Sequence, residues 1–461
     1  MAPLSSTETI EDATRRRVLG VLRRFGWNAT SFQILEPGFE YWFYGDDACV
    51  AYVDTGRAWV AAGAPIAAES ALTSVARAFV VAARESGRRA LFFATEHRFV
   101  EATGLCSTLI GEQPTWDPSE WGRTLESTAS LREQLRRARA KGVVVTRLEP
   151  GALSDPGGAE RRELARLIER WSGSKPMPPM GFLVRVYPYS FTEERSLFVA
   201  RQGDRLVGFA GVVPIYARNG RFIEDLLRAP DAPNGTIELL VDAAMRDATA
   251  AGAGYVTLGL APLAGEVPFG LRLAGRWGAS LYDFEGLKSF KAKLRPRDWT
   301  PVYLSYPSER SLHAVVFDSL SAFAQRGLLR YGIDALLRGP AVVVRALAIL
   351  LVPWTLLLAN ASGPRWFFAA WVQWFWVGFD VLVCVGLLAL SARWRRWLAL
   401  LLLGLVGADA LATLLEAAEF VLTRRPSPFE CAVVVVALAG PLLASVVLYN
   451  ARRRALRAAG A

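Results

Sequence analysis

The stretch SLFVARQGDRLVGFAGVVP, residues 196–214, has the pattern of two successive β-strands. Apolar runs of strand length on either side of a polar break predict strands at Ser196–Arg201 and Leu206–Pro214. A third strand, a helix that stops before Gly252 and a fourth strand are predicted next, at Arg221–Leu227, Gly235–Ala251 and Tyr255–Leu260. The order is therefore three strands, one helix and one strand.

The same order occurs earlier in the chain. Three strands, a helix that stops before Gly87 and a fourth strand are predicted at Glu40–Tyr44, Ala48–Asp54, Ala58–Ala64, Ser70–Ser86 and Ala90–Thr95. Two successive β-β-β-α-β units predict an α+β fold made by tandem duplication, in which each unit has a mixed sheet flanked by helices.

The composition changes abruptly near residue 341, where long apolar segments begin. The mean hydropathy of the whole chain is +0.24, and the excess is concentrated in this region. Four segments are long enough to span a bilayer: Ala341–Asn360, Trp366–Leu390, Trp397–Leu422 and Phe429–Tyr449. We therefore predict an all-α transmembrane region of four helices.

Basic residues next to these segments predict their orientation, because arginine and lysine favour the cytoplasmic side. One side of the membrane would hold Arg393, Arg395, Arg396, Arg452, Arg453, Arg454 and Arg457. The other side would hold only Arg365, Arg424 and Arg425. We expect a multi-pass protein of the inner (plasma) membrane with its N-terminal region and C-terminal tail in the cytoplasm. No apolar run near Met1 indicates a signal peptide.

Cysteine and histidine are too scarce for several classes of site. The four cysteines, Cys49, Cys106, Cys384 and Cys431, show neither a close pair nor a metal-binding spacing. Only two histidines are present, His97 and His313, so we expect no metal and no cofactor. The formal charge of +10 favours an anionic partner, either nucleic acid or acidic lipid.

A cluster of lysines is the first candidate for binding an anion. Three of the five lysines in the chain, Lys288, Lys291 and Lys293, lie in GLKSFKAKLRP, residues 286–296, beside Arg295. Helical spacing would place Lys288, Lys291 and Arg295 on one face, where they could contact a phosphate. A basic amphipathic helix lying on anionic lipid explains the same residues.

A second basic segment, Ser130–Lys141, is predicted to be helical. Its cations outnumber its single Glu: Arg132, Arg136, Arg137, Arg139 and Lys141. One interpretation is a solvated linker helix. The other is a contact with a phosphate backbone, which we favour because a helix with this charge repels itself unless something neutralises it.

Three motifs precede the lysine cluster in a defined order. Asp225–Arg228 ends a strand, and Ala232–Glu238 makes a turn that begins a helix, with Asn234 or Thr236 as its N-cap. Leu258–Gly265 is a loop of small residues, where backbone can approach a ligand closely.

Together with Phe284–Pro296, Trp299 and Tyr303, these motifs resemble the catalytic domain of bacterial phosphatidylglycerol lysyltransferases. Those enzymes move an aminoacyl group from aminoacyl-tRNA to a membrane phospholipid. The stretch from Phe25 to Ile66 and the pair Lys141-Gly142 resemble the same domain, so the similarity covers about residues 20–310. It implies a tandem of two GNAT-type acyltransferase units and an aminoacyltransferase activity.

The resemblance also implies roles for individual residues. Asp225 would orient the amino group or act as base, and Arg228 would hold a phosphate or the oxyanion. Glu238 would bind the aminoacyl amine, although acids are favoured in a first helical turn in any case. Other substrate contacts would come from Lys288, Lys291, Lys293, Arg295, Asn234 and Thr236, and tRNA contacts from Arg132, Arg136, Arg137, Arg139 and Lys141.

The expected division of the chain follows from these assignments. It comprises an N-terminal segment (1–24), a first GNAT-like unit (25–129), a basic connecting helix (130–142), a second unit with the catalytic motifs (143–310), a linker (311–340), four transmembrane helices (341–450) and a basic cytoplasmic tail (451–461). Family members commonly carry a large flippase domain ahead of the catalytic domain. Here the membrane part follows it, so anchoring is its expected role.

The expected partners are aminoacyl-tRNA, an anionic phospholipid and the membrane. Two alternatives stay open. An acyl-CoA-dependent N-acyltransferase could use the same fold, although residues 232–236 lack the glycine-rich pyrophosphate loop of such enzymes. A non-enzymatic, membrane-anchored ligand-binding protein could also use it, since fold does not determine function.

Overall fold

The computed structural model describes residues 10–175, 180–268, 270–272, 283–308, 311–324, 327–328, 330–331, 340–360, 369–392, 395–416, 435 and 437–449. The chain divides into two compact units. The first contains nearly all residues up to Leu328, and the second contains the apolar helices that follow.

The first unit is a mixed sheet with helices. Its strands are β1 Glu40–Tyr44, β2 Ala48–Asp54, β3 Ala58–Ala62, β4 Arg89–Thr95, β5 Cys106–Trp116, β6 Val143–Arg147, β7 Ser196–Gln202, β8 Arg205–Ile215, β9 Gly220–Arg228, β10 Tyr255–Thr257, β11 Ala261–Pro262 and β12 Asp298–Tyr306. Its helices are α1 Ile10–Phe25, α2 Leu72–Glu85, α3 His97–Thr103, α4 Trp121–Ser127, α5 Ala129–Ala140, α6 Ala159–Gly173, α7 Thr236–Ala250, α8 Phe284–Lys293 and α9 Leu312–Ala324. The α+β architecture predicted from the sequence is confirmed.

Both predicted repeats are present in the strand pairing. In the first, β1, β2 and β3 are antiparallel, α2 follows, and β4 returns parallel to β3. In the second, β7, β8 and β9 are antiparallel, α7 follows, and β10 returns parallel to β9. Helices α2 and α7 each bury an apolar face against the sheet of their own repeat.

The repeats exchange the strands that follow them, β5 and β12. The strand order is β1-β2-β3-β4-β12-β5-β10-β9-β8-β7-β6. Strand β5, which follows the first repeat, pairs with β10 of the second. Strand β12, which follows the second repeat, pairs with β4 of the first and with β5. The exchange joins the two repeats into one continuous sheet.

The parallel pair differs between the repeats. In the first repeat β3 and β4 stay paired from Ala58 to Ala62, and the Gly63 amide donates to the Phe93 carbonyl at 2.7 Å. In the second, β10 pairs with β9 only over Tyr255–Thr257, and the chain continues to β11, which pairs with β5. The predicted strand Tyr255–Leu260 therefore ends three residues early. Beyond Phe222, no described strand pairs with this edge of β9.

The second unit contains apolar helices: α10 Pro340–Asn360, α11 Ala370–Ala392, α12 Arg396–Glu416 and α13 Ala437–Tyr449. Two described segments, Ala370–Ser391 and Trp397–Leu415, are long and apolar enough to cross a bilayer. The apolar part of α10, Val344–Asn360, and all of α13 are shorter. Much of the predicted fourth span, Phe429–Tyr449, lies outside the described residues, so four spans remain a prediction.

Candidate functional site

A β-bulge on β9 places two acidic residues just beyond Phe222, where the pairing of β9 with β10 has ended. Ile223 lies opposite Val212 and Asp225 lies opposite Gly211, so Glu224 is an extra residue without a partner on β8. A bulge bends its strand and re-aims side chains. Here the carboxyl groups of Glu224 and Asp225 are both buried, and the negative charge of Glu224 acts on Asp225.

These two acids belong to a buried cluster of four charged residues. Arg195 is its centre, and its side chain is fully buried. The guanidinium donates to the Glu224 carboxylate at 2.7 Å, to the Glu36 carboxylate at 3.2 Å and to the Ser190 carbonyl at 2.9 Å. It also lies 5.1 Å from the ring centroid of Phe32. We refer to Glu36, Arg195, Glu224 and Asp225 as the acidic cluster.

The acidic cluster holds three carboxyl groups against one guanidinium. Burial raises the pKa of Asp225 well above its ordinary value, and the charge of Glu224 raises it further. Burial likewise raises the pKa of Glu36, with a second contribution from Glu224. Glu224 Oε1 and Asp225 Oδ2 are buried without a hydrogen-bond partner among the described residues. Such a site favours a proton or a cationic ligand, because buried anions need compensation.

Space for the Asp225 carboxyl comes from the absence of a side chain opposite it. A Cβ on Gly211 would lie 3.3 Å from Asp225 Cβ and 3.5 Å from Asp225 Oδ2. Tyr189 is close enough that the charge of Asp225 adds to the effect of burial in raising the pKa of the phenol.

At the end of β9, Arg228 is exposed and has no side-chain partner among the described residues. Burial and the nearby positive charge of Arg228 lower the pKa of Lys175. The Lys175 ammonium lies 5.0 Å from the ring centroid of Trp171. Two neighbouring cations with no described counter-ion form a place where an anion can bind.

The loop after β10 is held by Lys291, which lies on α8. The ammonium donates to the carbonyls of Leu258, Gly259 and Leu260 at 2.8, 2.8 and 2.9 Å. Only 5% of Lys291 is exposed. Burial lowers its pKa to about 7, whereas the three carbonyl acceptors favour the charged form. All three ammonium donors are used within the protein.

The remaining cations of the lysine cluster face solvent. Lys288, Lys293 and Arg295 are exposed and have no side-chain partner among the described residues. The structure therefore separates Lys291 from Lys288 and Arg295, which helical spacing had placed on one face. The reason is the packing of α8, because Lys291 lies on its buried side together with the fully buried Leu294.

The beginning of α7 is covered by another helix. Gly235 has φ of +93°, and a Cβ there would lie 2.1 Å from the backbone oxygen of Gln134 on α5. Thr236 is fully buried, and its hydroxyl donates to the Pro233 carbonyl at 2.7 Å. Asn234 is exposed, and its side chain does not cap α7. Glu238 is half-buried without a side-chain partner among the described residues.

The basic helix is α5, and much of its charge is compensated within the protein. Glu133 pairs with Arg136 at 2.8 Å and with Arg137 at 2.7 Å. Arg139 pairs with the buried Asp242 at 3.2 Å. Arg132 donates to backbone carbonyls at the end of α4. Lys141 is exposed, and its side chain has no partner among the described residues. Internal pairing therefore accounts for part of the charge without an external anion.

Three members of the acidic cluster were missed by sequence reasoning. Glu224 is adjacent to Asp225, and two consecutive acids in an apolar strand would have been a usable signal, because alternation should place them on opposite faces. Glu36 and Arg195 are 159 residues apart in the chain, and no local pattern links them.

The fold and the open strand pair define a class of protein: this is an α+β mixed-sheet domain built from two repeats, with its candidate site in the second repeat. The family described as Phosphatidylglycerol lysyltransferase, C-terminal, matches residues 20–306. The chain belongs to that family.

One curated relative and two solved structures are similar to this chain, the structures in their fold. The phosphatidylglycerol lysyltransferase of Bacillus subtilis (strain 168) is 26% identical over 324 residues, which cover 67% of this chain and 37% of the relative. The chain thus spans little more than a third of that protein's length. The crystal structure of the C-terminal domain of a putative lysylphosphatidylglycerol synthetase from Agrobacterium fabrum has a TM-score of 0.58 at 23% identity, covering 69% of this chain and all of that one. The structure of L-PGS from Bacillus licheniformis has a TM-score of 0.57 at 22% sequence identity. The match covers 69% of this chain and 98% of that one.

Proposed function

We propose that this protein transfers an aminoacyl group from aminoacyl-tRNA to a membrane lipid such as phosphatidylglycerol. The acidic cluster carries the proposal. Two of its buried carboxyl oxygens have no hydrogen-bond partner among the described residues, and they lie beyond Phe222, the last residue of β9 that pairs with β10. An aminoacyl ester brings the ammonium group that such a site needs, and the family assignment supplies the reaction class.

The reaction would be a transesterification. A lipid hydroxyl attacks the ester carbonyl, so one C–O bond forms while the C–O bond to the tRNA 3′ ribose breaks. The hydroxyl proton passes through a base to the departing ribose oxygen. We assign that role to Asp225 in its ionised form, which the ammonium of a bound aminoacyl group would favour. Its raised pKa makes that form a stronger base than an ordinary carboxylate. Glu224 and Glu36 would face the ammonium of the aminoacyl group.

The exposed cations around the site would hold the phosphates of the two substrates. Arg228 is at the end of the strand that carries Asp225. Lys288, Lys293 and Arg295 are free to contact a phospholipid headgroup or the tRNA acceptor end. Asn234 and Glu238 remain candidates at the beginning of α7, whereas the hydroxyl of Thr236 is committed to Pro233. Lysine is the donor amino acid that the family name favours.

The apolar helices would anchor the catalytic unit at the inner membrane. We propose four spans, of which Ala370–Ser391 and Trp397–Leu415 are the most membrane-like of the described segments. The predicted orientation places the catalytic unit and the C-terminal tail in the cytoplasm, where aminoacyl-tRNA is present.

The covered beginning of α7 disfavours the acyl-CoA alternative. Enzymes of that type bind pyrophosphate on the backbone amides at a helix N-terminus. Here the Gln134 carbonyl occupies the space beside Gly235, so a pyrophosphate would have to displace α5.

The test is a lipid assay with the full chain reconstituted in nanodiscs that contain phosphatidylglycerol. Lysyl-tRNA, alanyl-tRNA and acetyl-CoA are supplied in separate reactions, and the lipids are analysed by mass spectrometry. We expect an aminoacylated lipid from one of the charged tRNAs and no product from acetyl-CoA. An acetylated product, or no lipid product from a folded protein, would contradict the proposal.

The exposed cations of α5 are expected to contribute to tRNA affinity. Replacing Arg136 and Lys141 together with Gln should weaken tRNA binding and reduce the slope of log K against log salt by roughly 0.7–0.9 for each lost phosphate contact. Arg166→Gln on α6 is the matched control, since it removes an exposed arginine outside the basic helix. If the slope of log K against log salt is the same for the double variant and the control, α5 does not contact the tRNA phosphates.

A further inference from the structure

Four backbone groups of the loop Leu258–Leu260, its three carbonyls and the Gly259 amide, have hydrogen-bond partners outside β9. Its three carbonyls accept from the Lys291 ammonium. The Gly259 amide donates to the Thr257 hydroxyl at 3.0 Å, and that hydroxyl donates to the Pro114 carbonyl at 2.9 Å. Backbone groups in a parallel pair normally find these partners on the neighbouring strand. Lys291 and Thr257 therefore replace the hydrogen bonds that a longer β10 would make with β9.

The first repeat shows the arrangement that results without such a lysine. There β3 and β4 remain hydrogen-bonded over five residue pairs, and the Gly63 amide continues the pairing by donating to Phe93. In the second repeat the pairing stops after three residue pairs, at the point where the Lys291 ammonium binds the chain. The two repeats thus give a closed and an open form of the same element within one molecule.

We propose that Lys291 is a positioning residue that keeps β10 separated from β9 and so holds the edge of β9 beside Asp225 open for the aminoacyl ester. The role in transfer rests on the proposed function, whereas the separation of the strands does not. Lys291 does not contact the substrate in this assignment, because its three donors are already bound to carbonyls.

Loss of the ammonium would leave buried carbonyls without donors, since Leu258 and Gly259 are buried and unpaired buried polar groups are costly. The amides on the free edge of β9 are donors that these carbonyls would meet if the strand continued. Close packing of Gly259 against Phe222, where a Cβ would lie 2.8 Å from the ring, keeps the loop next to that edge. We therefore expect that, without the ammonium, the loop Leu258–Leu260 becomes less ordered and its carbonyls compete with the substrate for the free edge of β9.

The experiment compares Lys291→Met with Lys288→Met and Lys293→Met in the full chain reconstituted in nanodiscs. Hydrogen exchange is measured for peptides covering residues 256–262 and 223–228, and for residues 58–64 as an internal reference. We expect Lys291→Met to change exchange in the first two peptides by at least about tenfold and to lower kcat/KM by about 100-fold. Lys288→Met and Lys293→Met, at the two exposed lysines of the same helix, should leave exchange in all three peptides unchanged. The control for kcat/KM is Arg166→Met on α6, which removes an exposed cation outside the proposed site and should leave kcat/KM unchanged.

The outcomes separate this proposal from the proposed function. If the peptides covering residues 256–262 and 223–228 of Lys291→Met exchange hydrogen at the wild-type rate, the positioning role is overturned. Altered exchange throughout the chain, including residues 58–64, would mean a general packing role and would also overturn it. Absence of any transfer by the wild-type protein would contradict the proposed function, while the exchange comparison would still decide whether Lys291 holds the strands apart. Lys291→Arg provides a second variant that keeps the charge if Lys291→Met does not fold.

Discussion

Replacing Asp225 with Asn is expected to lower the rate of aminoacyl transfer by about 10³-fold, because a positioned general base contributes roughly 10²–10⁴-fold. Asn has nearly the same shape as Asp but neither accepts a proton nor offers a negative charge to an ammonium. The cluster would also lose one of its three buried acids, which relieves repulsion. We therefore expect the variant to fold at least as stably as the wild type. Single-turnover transfer from aminoacyl-tRNA to lipid in nanodiscs is the measurement.

The control for this prediction is Asp231→Asn. Asp231 is exposed at the surface and pairs with Arg205 at 2.6 Å, so its replacement should leave transfer unchanged. Activity of Asp225→Asn within tenfold of the wild type, with the same thermal midpoint, would exclude Asp225 as the base. Loss of activity in both Asp225→Asn and Asp231→Asn would indicate a general effect of removing negative charge, and not a specific role of Asp225 in the site.

Much of the fold follows from local patterns, and the part that does not is the pairing between distant segments. The three-strand, helix, strand order of each repeat is visible because each element has its own apolar pattern and each helix stops before a glycine, Gly87 or Gly252. The exchange of β5 and β12 has no such signature. Thr108 and Tyr306, which are hydrogen-bonded across these strands, lie 198 residues apart. Pairing over that distance depends on the whole sheet and not on any short window of sequence.

The candidate site shows the same division between local and non-local information. Asp225 and Arg228 could be chosen from their motif, but the partners of Asp225 could not. Helical spacing identified Lys291 as a neighbour of Lys288 without indicating which side of α8 packs against the protein. Only the observed packing shows that Lys291 is turned inward to three carbonyls. The positioning role that we propose for it therefore differs from the phosphate contact that composition suggests.

Replacing Arg195 with Met is expected to destabilise the catalytic unit by about 3–5 kcal/mol near pH 8, since removing one partner leaves buried charges uncompensated. Arg195 is the only cation that neutralises Glu36 and Glu224 among the described residues of the cluster. Met fills a similar volume, so most of the loss would come from electrostatics and lost hydrogen bonds. Thermal unfolding of the full chain in detergent, followed by tryptophan fluorescence, measures the effect.

The pH dependence of this loss has a definite sign. Glu36 and Asp225 have raised pKa values in the folded protein, so the folded state binds more protons than the unfolded state above the ordinary carboxyl range of about 4. Stability from these groups therefore falls as pH rises through that window. Without Arg195 their folded pKa values rise further, so the deficit of the variant should be largest at pH 8 and shrink towards pH 5. Arg205→Met, which breaks the exposed pair with Asp231, should cost less than about 1 kcal/mol and show no such trend. A deficit that is constant from pH 5 to pH 8 would mean that Arg195 acts through packing, and the acidic cluster would then not be the charged site proposed for the ammonium group.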